Sequence, residues 1–355
     1  MASIATVLDN NSDITRRYGS GLVAVFVGGT SGIGETTARA FIRHTHASSS
    51  HAYLIGRDEA RATRIIEELQ TRYPSSRVTF IKSDASLLRE VDAACGAIQR
   101  NETKVNVLFL SPGIGTTSGR DETDEGLDKK LNLHYYSRMR FVTNLLPQLR
   151  NAGDGPGPGT SGQAAGQNEE SRPPLARVVS VLEAGGEAAL NLDDLSLKHR
   201  YSLRNCAKHA ITMNSVSMEH LALAYPQISF MHTFPGIVKT RLNRDFGTAA
   251  RLAISALMVL ARPWEIPLEE SGERHLYAAT SPRFPARMYK GGGTDAAEGS
   301  EGYPGSGFYR LSSTGSTYKS SRIMQAYRED GVRDVIWKHT LDVFAKVRGG
   351  PVVEA

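Results

Sequence analysis

The segment VFVGGTSGIGETTARAF, residues 25–41, carries four glycines between an apolar run and a helical pattern. The apolar run predicts a buried strand, and the apolar spacing after Gly34 predicts a helix. Gly28, Gly32 and Gly34 let the backbone turn tightly and leave room for another molecule to come close. Unpaired N–H groups at the start of the helix would attract an anionic group to this turn. Such a segment typically binds the diphosphate of a dinucleotide.

Short β-like runs alternate with helical patterns along most of the chain. Each run is apolar over four to six residues, which is typical of strands buried on both faces. The β-like runs are residues 22–29, 51–56, 77–84, 105–111, 176–182 and 228–234, with a final edge candidate at 307–311. Helical patterns lie between them, including residues 125–150 and 203–225. The alternation predicts an α/β fold, a doubly wound parallel sheet of the Rossmann type with helices on both faces.

Charge and cysteine usage exclude several classes of protein. The net charge is +5 and the 42 Lys and Arg residues form no basic run, so we expect no nucleic-acid partner. Cys95 and Cys206 are far apart and lack metal-ligand spacing, which predicts a reducing compartment and no metal site. We recognise no signal peptide, and the longest apolar run, residues 252–261, is about half as long as a bilayer span. We therefore expect a cytoplasmic protein without a membrane span.

The glycine spacing and a second segment resemble one enzyme family. The G-x-x-x-G-x-G pattern resembles that of the short-chain dehydrogenases/reductases, although Val27 stands where that family usually has Thr. The segment FPGIVKTRL, residues 234–242, resembles the family's Pro-Gly-x-Val-x-Thr motif. The resemblance covers most of residues 20–285, and the chain is similar in overall character to divergent reductases of fungal specialised metabolism. It implies an oxidoreductase that uses a nicotinamide dinucleotide.

We expect one Rossmann-type domain across residues 1–355, with three additions to the common core. Residues 151–174 are rich in Gly, Pro and polar side chains, which predicts a flexible surface insertion, and residues 291–306 have a similar composition. The resemblance implies that residues 241–265 form the family's variable region, which covers the substrate. Residues 286–355 form a C-terminal extension.

The expected cofactor is NADP(H). Arg57 ends the second predicted strand, where an NAD enzyme would carry an acid, and a guanidinium there can pair with a 2′-phosphate. Asp58 could compete for the same position. The resemblance implies that Asp84 binds the adenine, that Gly113 lets the ribose approach the backbone although Ser111 departs from the family's pattern, and that the second motif contacts the nicotinamide. The residues predicted to bind the cofactor are Gly28, Thr30, Ser31, Gly32, Ile33, Gly34, Arg57, Asp84, Ser111, Gly113, Pro235, Gly236, Val238 and Thr240.

The predicted proton donor departs from the spacing of the family. The family places a Tyr four residues before a Lys on one helix, so that both side chains share a face one turn apart. Here Tyr201 precedes Lys208 by seven residues. No shift of register restores the pair, because the positions are then taken by Arg204, by Asn205, or by Ser202 together with Cys206. Tyr201 could still act from a loop if the helix began after it. We predict that Tyr201 is the donor and that Lys208 assists it.

Two further positions of the expected catalytic site are altered. Glu183 stands where the family has a Ser after its fifth strand, and a desolvated Glu could act as an acid or a base. Asn132 is the candidate for the family's Asn, although another alignment puts Tyr135 there. His134 and Tyr136 belong with Tyr135 to a polar aromatic group that could line the site. The predicted catalytic residues are Tyr201, Lys208, Glu183 and Asn132.

The sequence favours an NADP-dependent oxidoreductase that acts on a carbonyl or an alcohol of a hydrophobic small molecule in secondary-metabolite biosynthesis. Family members often pair through helices beside the active-site strand, so a homodimer is one expectation. Two alternatives stay open. One is a non-redox isomerase, dehydratase or cyclase that uses Glu183 and Arg204, and the other is a nucleotide-binding protein without catalysis.

Overall fold

The computed structural model describes residues 2–155, 172–240, 261–289 and 295–347. Most of the predicted insertion and most of the predicted substrate-covering region lie outside these residues. Within the described part of the chain, no helix combines the length and the apolar character needed to cross a membrane. The same residues contain no group of three or more His, Cys, Asp or Glu side chains placed to hold a metal ion.

Seven strands of the described residues form one parallel sheet. They are β1 Val23–Val27, β2 His51–Gly56, β3 Arg77–Lys82, β4 Val107–Leu110, β5 Arg177–Val181, β6 Ser229–Thr233 and β7 Phe308–Leu311. Their order across the sheet is β3-β2-β1-β4-β5-β6-β7, and every neighbouring pair is parallel. Each strand falls within a run predicted from the sequence, including the edge strand. Strands β2 and β3 extend to one side of β1, and β4 to β7 extend to the other, so the strand order reverses between β1 and β4. In α/β proteins, ligands bind beyond the carboxyl ends of the strands at such a switch point.

Helices cover both faces of the sheet in the described residues. They are α1 Ile4–Ser12, α2 Ile14–Tyr18, α3 Gly32–Thr45, α4 Glu59–Arg72, α5 Leu88–Asn101, α6 from Lys129–Leu131 through a π-helical turn at Asn132–Tyr136 to Ser137–Gly153, α7 Leu203–Ala224, α8 Leu268–Thr280, α9 Arg322–Glu329 and α10 Val332–Val347. Strand β1 shows how they pack, since Val25 faces one hydrophobic core and Phe26 the other. The predicted fold class is confirmed.

Helices α3 and α8 approach each other closely on one face of the sheet. A Cβ atom at Gly272 of α8 would lie 2.7 Å from the carbonyl carbon of Thr36 in α3. The adjacent Glu273 joins these helices to α1, because its carboxylate accepts a hydrogen bond of 2.6 Å from Asn11 Nδ2 and lies 3.1 Å from His44 Nε2. A glycine at position 272 therefore allows the two helices to touch through their backbones.

The C-terminal helix α10 lies across α6 and α7 on the other face. Trp337 stacks on His220 of α7 with 5.3 Å between ring centroids. Thr340 Oγ1 and Tyr135 Oη of α6 share a hydrogen bond of 2.5 Å. Phe344 lies 5.0 Å from the guanidinium of Arg140. The last described helix is thus part of the core of the protein.

The composition of residues 291–306 resembles that of a flexible insertion, but the described part, residues 295–306, is packed against the fold. Ala297, Ser300 and Ser306 are buried. Ser300 Oγ donates a hydrogen bond of 2.5 Å to Glu219 Oε2 in α7. The expectation was wrong here because small side chains also suit a compact buried turn, which composition alone does not distinguish.

We predict that Gly272→Ala lowers the free energy of unfolding by about 1–3 kcal/mol, because the new methyl group would force α3 and α8 apart. Chemical denaturation monitored by circular dichroism measures this change. Gly96→Ala in α5 is the matched control, since its Cβ would meet only the flexible end of Arg100 at 3.5 Å. That helical substitution should be neutral or stabilising by about 0.5–1 kcal/mol. Equal effects of the two substitutions would contradict the proposed close contact.

Candidate functional site

A cleft of about 280 Å³ opens beyond the carboxyl ends of β1, β4, β5 and β6. It lies at the switch point of the sheet. Its described walls come from five separate parts of the sequence: the glycine turn, the end of β4, helix α6, the segment at the end of β5 and the segment after β6. The lining residues are Ser31, Gly32, Ile33, Ser111, Pro112, Gly113, His134, Arg138, Val181, Leu182, Pro235, Gly236, Val238 and Thr240.

The glycine turn holds the start of α3 against the ends of β1 and β4. Gly28 has a φ of +80°, a conformation that favours glycine. A Cβ atom at Gly34 would lie 2.5 Å from both the carbonyl oxygen of Gly28 and Ser111 Oγ. Ser111 Oγ itself donates a hydrogen bond of 3.1 Å to the carbonyl of Val27. Larger residues at these positions would push α3 away from the cleft.

The N-terminus of α3 faces the cleft and suits a diphosphate. Ser31 is the N-cap residue, and its side chain makes no capping hydrogen bond. The first N–H groups of a helix have no acceptor within the helix, and the helix dipole favours a negative charge beside them. Gly32, with a φ of +58°, faces Thr240 across the cleft, where an added Cβ would lie 3.4 Å from Thr240 Cγ2. The turn therefore leaves backbone N–H groups accessible to an anionic ligand.

The residues predicted for the adenosine end lie beside β2 and β3, next to the cleft. The side chain of Arg57 is 56% exposed, and its Nη1 lies 3.6 Å from Asp84 Oδ2. Asp84 also accepts a hydrogen bond of 2.9 Å from the backbone N–H of Ser86. Thr30 is buried against Gly56, where an added Cβ would lie 2.7 Å from its Oγ1. Arg57 is thus accessible to a ligand, and its contact with Asp84 is loose.

Arg138 of α6 forms a buried cationic wall of the cleft. Its residue exposure is 1%, and among the described residues its guanidinium donates hydrogen bonds to neutral oxygen atoms. Nη1 donates to Ser180 Oγ at 2.7 Å and to the carbonyl of Val181 at 2.8 Å, and Nη2 donates to the carbonyl of Pro112 at 2.6 Å. Nε donates to the carbonyl of Leu133 at 3.1 Å. Arg138 therefore connects the carboxyl ends of β4 and β5 to α6.

His134 lies one helical turn before Arg138 and also lines the cleft. Its Nε2 accepts a hydrogen bond of 3.3 Å from the backbone N–H of Ile114. Burial, together with the charges of Arg138 and Lys130, lowers the pKa of His134 to about 3. The ring is neutral at physiological pH, so it cannot serve as a cationic proton donor there.

The two residues predicted to share proton transfer lie outside the described lining of the cleft. Helix α7 begins at Leu203, so Tyr201 precedes the helix while Lys208 lies within it. The Tyr201 hydroxyl is buried beside Asp128 and Cys206 and has no hydrogen-bond partner among the described residues, and burial raises its pKa. Lys208 makes no ion pair with a described carboxylate and does not border the cleft. The sequence predicts catalytic roles for both residues, but the Tyr201 hydroxyl lies outside the described walls of this cleft.

Glu183 and Asn132 are also absent from the described lining. Glu183 is exposed, and its backbone N–H donates to His232 Nε2 at 3.2 Å. Asn132 is buried in the π-helical turn of α6 and donates a hydrogen bond of 2.7 Å to the carbonyl of Ser86. Its Oδ1 has no partner among the described residues. The structure therefore does not bring the four predicted catalytic residues together in the cleft.

Sequence reasoning proposed His134 within an aromatic group but missed Arg138. The hydroxyls of Tyr135 and Tyr136 point away from the cleft lining, towards Thr340 and His339 of α10 at 2.5 and 2.9 Å. The spacing of four residues between His134 and Arg138 could have indicated that both line the site, since it places two polar side chains on one face of a helix.

Comparison with known sequences agrees with this geometry. The sequence model of the family described as short chain dehydrogenase matches residues 22–156. The chain is 41% identical over 348 residues to the oxidoreductase AN1596 of Emericella nidulans, covering 96% of this chain and 97% of that protein. It is 38% identical to the oxidoreductase andH of Emericella variicolor, covering 93% of each chain. It is 28% identical to the short-chain dehydrogenase/reductase SAT2 of Stachybotrys chartarum, covering 91% and 92%.

Solved structures share the fold. The L-sorbose reductase of Gluconobacter frateurii, complexed with NADPH and L-sorbose, matches with a TM-score of 0.52 and 18% identity, covering 83% of this chain and 97% of that chain. An NADPH-bound short chain oxidoreductase from Pseudomonas aeruginosa PAO1, which contains an atypical catalytic center, matches with a TM-score of 0.50 and 21% identity, covering 74% and 92%.

We predict that acid destabilises the protein partly through His134. An unfolded histidine has a pKa near 6.5, so the unfolded chain binds a proton that the folded chain does not bind between about pH 6.5 and pH 3. The free energy of unfolding should therefore fall with pH in this range, by up to about 1.4 kcal/mol per pH unit for this residue. Denaturant titrations at pH 7.5, 6 and 5 should show a smaller slope for His134→Asn. A slope that His134→Asn leaves unchanged would contradict this prediction.

Proposed function

The chain belongs to the short-chain dehydrogenase/reductase family, and from this premise we propose that it is an NADP(H)-dependent oxidoreductase. Its substrate would be a hydrophobic small molecule that is reduced at a carbonyl or oxidised at an alcohol. One observation carries the proposal. Residues predicted separately from the glycine turn, from the end of β4 and from the segment after β6 line one cleft at the switch point of the sheet.

The residues present fit a nicotinamide dinucleotide. The N-terminus of α3 would hold the diphosphate through Ser31, Gly32 and Ile33, and Gly113 would let the ribose approach the backbone. The segment from Pro235 to Thr240 would face the nicotinamide. When bound, the nicotinamide ring would exchange a hydride with the substrate carbon. The protein's own contribution is to bind and orient both molecules and to exclude water from the cleft.

The preference for NADP(H) over NAD(H) rests on Arg57 and is supported by solved relatives that carry NADPH. An arginine at the end of β2 can pair with a 2′-phosphate, whereas NAD enzymes usually carry an acid there. The exposed guanidinium could turn from Asp84 to the phosphate, since the present separation of 3.6 Å is longer than a hydrogen bond.

The apolar part of the cleft supports a hydrophobic substrate. Ile33, Val181, Leu182 and Val238 are the aliphatic residues among those that line it. A role in specialised metabolism is proposed from the similarity to fungal oxidoreductases. A cytoplasmic location stays a prediction from the cysteine usage, and both cysteines are buried free thiols.

A non-redox reaction on the same fold is the second candidate. The observation that favours it is that Tyr201 and Lys208 do not border the described cleft. An isomerase or dehydratase would turn over its substrate without a change in NADPH absorbance at 340 nm. Turnover that continues when the cofactor is omitted would replace the redox proposal with this one.

We predict that Arg57→Ala weakens NADPH binding by at least about tenfold and leaves NADH binding within about twofold, because only NADPH carries the 2′-phosphate. Titration of protein with each cofactor, followed by fluorescence, gives the two dissociation constants. Arg89→Ala is the control, since its side chain is 55% exposed and pairs with Asp124 and Glu125. An equal loss for both cofactors would remove the assignment of the 2′-phosphate to Arg57.

We predict that Tyr201→Phe changes kcat by less than about threefold, because its hydroxyl lies outside the described cleft walls. The assay is NADPH consumption with a panel of lipophilic ketones. General acid catalysis typically contributes about 10²–10⁴ in rate. A loss of that size with an unchanged melting temperature would instead establish Tyr201 as the proton donor predicted from the sequence.

A further inference from the structure

Arg138 is a buried cation whose charge no described carboxylate neutralises. Its hydrogen bonds go to three backbone carbonyls and to the hydroxyl of Ser180. A buried charge is costly unless an opposite charge compensates it. Burial lowers the pKa of Arg138 to about 9, so the guanidinium is still protonated at neutral pH. By contrast, the nearby Arg140 pairs with both oxygens of Asp92 at 2.6 and 2.8 Å.

The guanidinium retains a donor for a ligand. An arginine has five N–H hydrogens, of which the four hydrogen bonds described above use four. The remaining hydrogen is on Nη2, and no acceptor for it exists among the described residues. Arg138 borders the cleft, so a ligand oxygen could supply that acceptor.

The neighbouring polar groups add donors and no negative charge. His134 Nε2 accepts from Ile114, so the neutral ring carries its hydrogen on Nδ1, which has no described partner. The hydroxyl of Ser180 donates to Asn214 Oδ1 at 3.1 Å, and so its hydrogen is already used. Asn214 Nδ2 donates to the carbonyls of His134 and Ala210 at 2.6 and 2.8 Å. The described cleft lining contains no Asp or Glu.

We propose that Arg138, assisted by the Nδ1–H of His134, binds an anionic oxygen of the substrate. The substrate class is an apolar molecule that carries one carboxylate or enolate oxygen beside the group that reacts. The apolar walls contact its body, and Arg138 contributes the compensating charge. This inference rests on the proposed function, because it concerns the substrate of the same cleft.

The test compares two ligands of nearly equal shape, 2-naphthoate and 2-naphthamide, by isothermal titration of the full chain saturated with NADP⁺. A charge-assisted hydrogen bond is about twice as strong as a neutral one, so we expect naphthoate to bind at least about tenfold more tightly. Arg138→Gln should abolish this preference, and Arg138→Lys should retain part of it.

Arg140→Gln is the matched control, because it removes the same charge from the same helix at a position that does not line the cleft. It should retain the preference for naphthoate. Melting temperatures of all variants separate loss of folding from loss of binding. If Arg138→Gln does not fold, the proposal is tested by comparing the affinities of the two ligands for the natural chain and for Arg138→Lys.

Equal affinities for the two ligands on the natural chain, or no saturable binding of naphthoate, would overturn the proposal. A preference that persists in Arg138→Gln would overturn it as well. So would a tenfold loss of NADP⁺ affinity in Arg138→Gln with an unchanged ligand preference, since Arg138 would then serve the dinucleotide. Failure of the proposed function would look different, because the natural chain would not bind NADP⁺ while naphthoate still bound more tightly than naphthamide.

Discussion

The close approach of Gly34 to the carbonyl of Gly28 and to Ser111 is the contact on which the rest of the site depends. It fixes the N-terminus of α3 beside the ends of β1 and β4, where the sheet reverses its order. A methyl group at position 34 would be 2.5 Å from two oxygen atoms, so the turn tolerates no larger residue without moving α3. This packing brings the N-terminal end of the α3 dipole to the strand ends, and it does so without any contact from a ligand.

The fold and the glycine side of the cleft could be predicted from the sequence because their signals are local. Parallel strands that are buried on both faces appear as continuous apolar runs, and a turn that needs glycine shows it directly. The other side of the cleft depends on where a helix begins. Ser202 caps α7, so Tyr201 lies outside the helix. Tyr201 and Lys208 therefore do not share a face of one helix, although seven residues separate them in the sequence. The position of Arg138 in the cleft could not be predicted from the sequence, because it depends on three backbone carbonyls that come together only in the folded chain.

The C-terminal extension changes what can be expected of α6 and α7. A homodimer through these helices was one expectation from the family, and it stays a prediction. Helix α10 already covers part of both, through Trp337 on His220 and through Thr340 on Tyr135. Burial of apolar surface within one chain reduces the area that a second copy could cover. Any pairing of this kind would need to use the part of the two helices that α10 leaves exposed.

The described cleft has an electrostatic asymmetry that follows from its construction. Both of its polar ends favour negative charge, one through the unpaired N–H groups of α3 and the other through the guanidinium of Arg138. The walls between them are apolar, and no carboxylate lines them in the described residues. A dinucleotide satisfies the first end through its diphosphate but presents a neutral carboxamide at its nicotinamide end. The charge of Arg138 is then left for the second molecule in the cleft, and since Coulomb interactions are stronger away from water, an anionic oxygen there would be held more firmly than at the surface.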